Sequence, residues 1–164
     1  MSASSHSCAL MKPVYTLAEA LAQDPARIAK TRSLTLDSSR PRMGLKGSQG
    51  LFASDEWWES IKAGRIQTQT VTGRIERMYF AGQDSRRGDQ VNSFTLRLAD
   101  GSTFDESIYT HRKQDTKLFV PGAMVTMVYA LDELKEQPAA DGSVNVARIV
   151  LEGYCVFQPH EPSA

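Results

Sequence analysis

The side chains that most often bind metals, cysteine thiols and histidine imidazoles, occur five times in this chain. They are His6, Cys8, His111, Cys155 and His160. No pair of them has the C-x-x-C or H-x-x-x-H spacing that is usual in zinc sites, and His6, Cys8 and His160 lie in tails that we expect to be disordered. The sequence therefore predicts no metal site and no cofactor.

Nucleophilic catalysis needs a nucleophile, a base and a group that orients the base. Cys155 lies in a strand-like segment, where a buried structural thiol is the common outcome. The adjacent carboxylates Asp105-Glu106 and Asp132-Glu133 point to opposite faces of any strand, so neither pair is an acid/base couple. Glu106 is the carboxylate for which burial is worth testing. We predict that the protein is not an enzyme.

Aromatic and basic side chains are stronger candidates, because both types anchor binding surfaces. The candidate binding residues are Trp58, Arg74, Arg77, Tyr79, Arg86, Arg87, Tyr109, Arg112 and Lys113. They suit a partner protein, or single-stranded nucleic acid if the arginines contact phosphates and the tyrosines stack on bases. Acidic residues interleaved with them would repel phosphates, which disfavours the second alternative.

The charge of the chain is balanced in total but uneven along its length. The 164 residues include 19 basic and 19 acidic side chains. Residues 1–50 carry seven basic and three acidic side chains, and residues 51–164 carry twelve and sixteen. A basic front segment indicates an arm that contacts something acidic, and the nearest acidic candidate is the rest of the same chain.

Local signals predict helices before and after residue 50. Thr16 to Glu19 has the spacing of a capping box, and Asp24-Pro25 is typical of the start of a second short helix over residues 26–32. A glycine-rich loop follows to residue 50. Ser54 is a suitable N-cap for a compact helix that Gly64 would end, and at least one of its two tryptophans should be buried.

The rest of the chain is strand-like. Alternation of apolar and polar residues predicts five strands, at residues 71–79, 94–98, 104–109, 124–131 and 144–157, with one helical turn between the third and the fourth. This order predicts a mainly β fold with a five-stranded OB-like small barrel, preceded by a short helix and the helical arm. An SH3-like barrel or a small β-sandwich would give the same signals.

These elements predict a domain organisation of four parts. We expect a disordered tail over residues 1–14, a helical arm and linker over 15–50, the barrel domain over 51–158 and a second disordered tail over 159–164.

Four sequence blocks together resemble a group of uncharacterised bacterial small β-barrel proteins with an OB-like fold. The blocks are GLFASDEWW at residues 50–58, YFAG at 79–82, DG at 100–101 and YALDELK at 129–135. The resemblance covers about residues 50–157. It implies a bacterial protein with a single barrel, and it carries over no catalytic residue and no cofactor.

The sequence contains no apolar run of the roughly 20 residues that a membrane-spanning helix needs, and no visible secretory signal. We therefore expect a cytoplasmic protein without membrane contact. The hypothesis that follows is a non-enzymatic bacterial protein-interaction module, of adaptor or toxin-neutralising type, with another protein as its partner. The alternative is an OB-like protein that binds single-stranded nucleic acid, and the oligomeric state stays open.

Overall fold

The computed structural model describes residues 11–81, 91–136 and 145–156. Within these ranges the strands are β1 (Lys12–Thr16), β2 (Gln67–Tyr79), β3 (Ser93–Leu98), β4 (Thr103–Ser107), β5 (Met124–Glu133) and β6 (Val146–Val156). The helices are α1 (Leu17–Gln23), α2 (Pro25–Leu36), α3 (Asp55–Ala63) and a 3-10 helix at Lys113–Leu118. The prediction of a mainly β fold is confirmed.

The strands form one sheet in the order β1-β6-β5-β2-β3-β4, with antiparallel pairing of β1 with β6, β2 with β3 and β3 with β4. All five predicted strands are present, and the 3-10 helix lies between β4 and β5 as expected. The prediction of five strands is nevertheless wrong, because the described part of the chain contributes six. The sheet has β1 and β4 at its two ends, so its strand order is that of an open sheet rather than a closed barrel.

The additional strand comes from a segment that the sequence places partly in a disordered tail. Lys12–Thr16 pairs with β6, with Lys12 opposite Cys155 and Thr16 opposite Glu152. The side chains of Val14 and Tyr15 are buried. Local periodicity could not predict this strand, because its partner lies at the other end of the chain.

The chain divides into two compact units. Unit 1 comprises the described parts of Met1–Thr16, Thr70–Met127 and Glu152–Ala164, and unit 2 comprises Leu17–Gln69 and the described part of Val128–Leu151. The buried apolar side chains of unit 1 come from all of its strands except β4. They are Val14, Tyr15, Val71, Ile75, Phe94, Leu96, Phe119, Ala123, Val125, Met127 and Cys155.

Unit 2 has a core that joins the arm to the end of the sheet. Its buried members are Leu17, Leu21, Leu45, Phe52, Trp57, Ile66, Ala130 and Leu151. The first three belong to the arm, which therefore packs on residues from the predicted barrel domain. The second arm helix, α2, continues to Leu36, so the predicted loop begins four residues later than residue 33.

Local signals correctly predict the ends of α3. The Ser54 hydroxyl accepts a hydrogen bond from the Trp57 backbone N–H at 3.2 Å, and Gly64 ends the helix with a φ of 85°. Trp57 has no exposed surface, which confirms that one of the two tryptophans is buried. Gly50 approaches the same helix so closely that a Cβ there would lie 2.8 Å from the Trp57 nitrogen.

Candidate functional site

Two of the predicted binding residues in unit 1 lie together. The Arg77 guanidinium lies over the ring of Tyr79, 4.5 Å from its centroid. Arg74 is exposed, but its guanidinium donates a hydrogen bond to the Gly122 carbonyl at 2.7 Å. Both arginines thus already make contacts within their own unit, as does the face of the Tyr79 ring that would stack on a base.

The other predicted residues belong to unit 1, to unit 2 or to the part of the chain that the structure does not describe. Tyr109 is half-buried and packs against Tyr15, with ring centroids 5.3 Å apart. Arg112 and Lys113 are exposed at the start of the 3-10 helix. Trp58 belongs to unit 2, where its half-buried ring meets Trp57 edge-on. Arg86 and Arg87 lie outside the described residues.

The sequence analysis missed an apolar cleft of unit 2 that lies beside α2. No residue of α2 is fully buried, so the helix lies on the unit rather than within it. The cleft has a volume of about 370 Å³. We call it the arm cleft, and it is lined by Arg27, Lys30, Thr31, Leu34, Gly44, Leu45, Phe52, Leu134, Ala147 and Ile149.

Helix α2 is held beside this cleft by two cations that donate to backbone carbonyls. The Arg32 Nε donates to the Phe52 carbonyl at 2.8 Å. The Lys135 Nζ donates to three carbonyls at and after the end of the helix, Leu34 at 2.7 Å, Asp37 at 3.3 Å and Arg40 at 3.0 Å. Of these three carbonyls only that of Leu34 belongs to α2, so Lys135 joins the last turn of the helix to the segment that follows it.

The rim of the arm cleft is basic and its floor is apolar. The Arg27 guanidinium lies 5.7 Å from the centroid of the Phe52 ring, and Lys30 is exposed one turn further along α2. No acidic side chain is among the lining residues. Beyond the cleft, Leu36 is 69% exposed and Met43 is 49% exposed. Such a surface suits contact with a protein rather than catalysis.

Within the described ranges, the buried carboxylates are Asp115 and Asp132, whereas Glu106 is half-buried. Asp132 accepts a hydrogen bond from the Trp57 indole nitrogen at 2.8 Å, and burial raises its pKa above the ordinary value. Asp115 accepts a hydrogen bond from the Lys12 ammonium at 2.8 Å. Each is satisfied by a residue distant in sequence, which explains why strand parity alone pointed to the wrong carboxylate.

The part of the chain that the structure describes contains no group of three or more His, Cys, Asp or Glu side chains that could hold a metal ion. No helix within the described ranges is long and apolar enough to cross a membrane. Cys155 is fully buried, and burial together with the nearby Asp115 charge raises the pKa of its thiol to about 12. A thiol in this state is a poor nucleophile.

Comparison with known proteins gives one family. The model of the family described as Immunity protein RhsI2 matches residues 11–154, a range that includes β1 and every residue that lines the arm cleft. No curated protein matches the chain.

Proposed function

The chain belongs to the RhsI2 immunity protein family, and we propose that it neutralises a toxin by binding it through the surface around the arm cleft. Immunity proteins of this kind are bacterial inhibitors that bind a partner toxin. Among the interaction modules predicted from the sequence, the family match favours the toxin-neutralising type over a general adaptor.

The observation that carries the location is the arm cleft. The cleft is apolar, and no residue of the helix beside it is fully buried. A partner protein can therefore contact both the cleft and the helix in the folded unit as it stands. Near it, two large apolar side chains of unit 2 are exposed, Leu36 in the last turn of α2 and Met43 next to Gly44. Exposed apolar groups around a concave surface favour a protein partner.

If the chain inhibits its toxin by binding alone, the ratio of the two proteins at full protection is fixed. An inhibitor that acts by occupying its toxin protects only as many toxin molecules as there are inhibitor molecules. An enzyme that modified the toxin would protect an excess, because each molecule would act repeatedly. The ratio of the two proteins at full protection therefore separates the two classes.

The test uses the toxin domain that the chain is proposed to neutralise. The purified toxin domain and the full chain are mixed at ratios from 0.1 to 2, a range of about 20-fold, and residual toxin activity is measured. We expect activity to fall linearly to zero near equimolar chain, with a 1:1 complex in size-exclusion chromatography with light scattering. Full protection at one tenth of equimolar chain, or no complex, would overturn the proposal.

The alternative of single-stranded nucleic acid binding predicts a different result. Mobility shifts of single-stranded oligonucleotides would show binding that weakens steeply as salt rises. We expect no shift at physiological salt, because Arg74 and Arg77 are engaged within unit 1. A salt-sensitive shift that Arg112→Ala/Lys113→Ala abolishes would favour the alternative instead.

A further inference from the structure

We propose that the arm cleft recognises an acidic segment of the toxin that inserts one large apolar side chain between α2 and the cleft floor. This inference rests on the proposed function and adds the chemistry of the partner to it.

The apolar part of the inference comes from the floor of the cleft. Opposite α2, the lining consists of one glycine and apolar side chains, Gly44, Leu45, Phe52, Leu134, Ala147 and Ile149. A volume of about 370 Å³ lies near the lower end of the range of small-molecule sites, roughly 300–1,000 Å³. It is large enough to admit a protruding side chain, and an aliphatic or aromatic one gains most from leaving water there.

The acidic part comes from the charges of α2. The helix carries Arg27, Lys30 and Arg32 and no acidic residue between Pro25 and Leu36. Arg32 is committed to the Phe52 carbonyl, whereas Arg27 and Lys30 line the cleft. A carboxylate brought to this rim would meet two cations, and a basic segment would be repelled by them.

The acidic residue at the end of α2, Asp37, does not cancel the positive charge of Arg27 and Lys30. The Asp37 carboxylate accepts hydrogen bonds from the Ser39 hydroxyl at 2.6 Å and the Ser39 backbone N–H at 3.0 Å. Its Oδ2 also pairs with Arg40 at 3.5 Å. Asp37 is therefore neutralised locally, and the charge left at the rim is positive.

The exposed apolar residues extend the surface beyond the cleft. Leu36 and Met43 are large, exposed apolar side chains of unit 2, and each lies within two residues of a residue that lines the cleft, Leu34 and Gly44 respectively. Leu36 lies in the last turn of α2 itself. A partner segment that follows α2 from Arg27 towards Leu36 would meet cations first and apolar surface last.

The experiment reverses the rim charge and fills the floor separately. Arg27→Glu/Lys30→Glu replaces both rim cations, and Ala147→Phe occupies the cleft with a ring. Lys62→Glu is the matched control, because it reverses an exposed cation of α3 in the same unit that does not line the cleft. The dissociation constant for the toxin domain is measured by biolayer interferometry across a salt series, and circular dichroism checks that each variant is folded.

We expect the double reversal to weaken binding at least about 100-fold and to remove most of the salt dependence. A tenfold loss of affinity for each of the two reversed charges corresponds to about 1.4 kcal/mol per charge. Ala147→Phe should weaken binding at least about tenfold with the salt dependence kept. Lys62→Glu should stay within about twofold. If Ala147→Phe does not fold, Thr31→Phe fills the cleft from the helix side. A reversal of acidic residues in the toxin segment should restore binding to the double variant.

Failures of the two proposals are distinguishable. If the wild-type chain does not bind the toxin domain, the proposed function fails. If it binds and both the charge-reversed and the filled variants bind equally well, the inference is overturned while the function stands. If the wild-type chain alone forms a dimer that Arg27→Glu/Lys30→Glu makes monomeric, the cleft holds a second copy instead, which also overturns the inference.

Discussion

The indole N–H of Trp57 donates a hydrogen bond to the carboxylate of Asp132 over 2.8 Å, and both residues are buried within unit 2. Trp57 comes from α3 and Asp132 from β5, so the bond joins the helix to the sheet. Burial raises the pKa of Asp132, against the hydrogen bond from Trp57, which lowers it. The nearby Glu133 charge acts in the same direction as burial.

The raised pKa of Asp132 predicts a specific pH dependence of stability. Because the folded state binds this proton more tightly than the unfolded state does, the contribution is complete below the unfolded pKa near 3.8 and is lost as pH rises through the folded pKa. Asp132→Asn does not titrate and can still accept the indole hydrogen bond. We expect the free energy of unfolding of wild type relative to Asp132→Asn to fall as the pH rises above the ordinary carboxyl pKa of 3.8.

Urea unfolding of both proteins at several pH values measures this difference. The variant serves as its own control, since every other titrating group is common to the two chains. A difference that stays constant across the pH range would contradict the prediction.

The ion pair between Lys12 and Asp115 predicts that removal of the lysine charge lowers the stability of the fold. The Asp115 side chain is 5% exposed, whereas that of Lys12 is 49% exposed. Lys12→Met removes the cation and leaves a buried carboxylate without this partner, so we expect the free energy of unfolding to fall by about 1–3 kcal/mol.

Lys46→Met is the matched control for that loss. Lys46 pairs with Glu133 at 3.3 Å, and both side chains are substantially exposed, at 48% and 34%. A pair of this kind contributes about 0–1 kcal/mol. Equal losses in urea unfolding for Lys12→Met and Lys46→Met would show that burial of Asp115 does not matter.

The buried thiol of Cys155 should be chemically silent in the folded protein. With a pKa of about 12, only ~10⁻⁴ of the thiol is ionised at pH 8, and the Sγ atom also contacts the Leu118 carbonyl at 3.5 Å. In a Cys8→Ser background, we expect a thiol reagent at pH 8 to label the chain only when urea unfolds it. Labelling of the folded chain at the rate of a free cysteine would disprove this.

Ala53 occupies a backbone conformation that costs energy for any residue with a Cβ. Its φ is 63°, in the left-handed region, where a non-glycine residue pays about 1–2 kcal/mol. Ala53→Gly should therefore raise the free energy of unfolding by up to about 1 kcal/mol. Ala63→Gly, in the last turn of α3, should lower it by up to about 1 kcal/mol. Thermal unfolding with the same sign for both variants would refute the strain at Ala53.

The sequence predicts what neighbouring residues determine and misses what distant residues determine. The N-cap at Ser54 and the end at Gly64 follow from groups within one helical turn, and both are confirmed. Strand β1 was missed because its pairing partner is β6, at the other end of the chain. The buried Asp115 likewise has its ion-pair partner, Lys12, far away in the sequence.

The candidate site shows the same limit. The nine predicted binding residues were chosen by type, and the structure brings Arg77 and Tyr79 together while it leaves Trp58 in a different unit. The arm cleft combines residues from α2, the following loop and the ends of β5 and β6, and no window of sequence contains them together. The uneven charge along the chain is the signal in the sequence that points towards it, because residues 1–50 form a basic segment that includes Arg27 and Lys30.

The contacts of Lys135 have a consequence for how such a protein can change over generations. This lysine binds the last turn of α2 and the segment after it through main-chain carbonyls, which every amino acid supplies, so these contacts do not depend on which side chains the helix displays. Outward positions of α2 can then be exchanged one by one while the helix keeps its place. Substitutions on the outward face of α2 could thus change the binding specificity of the protein during evolution while the position of the helix stays the same.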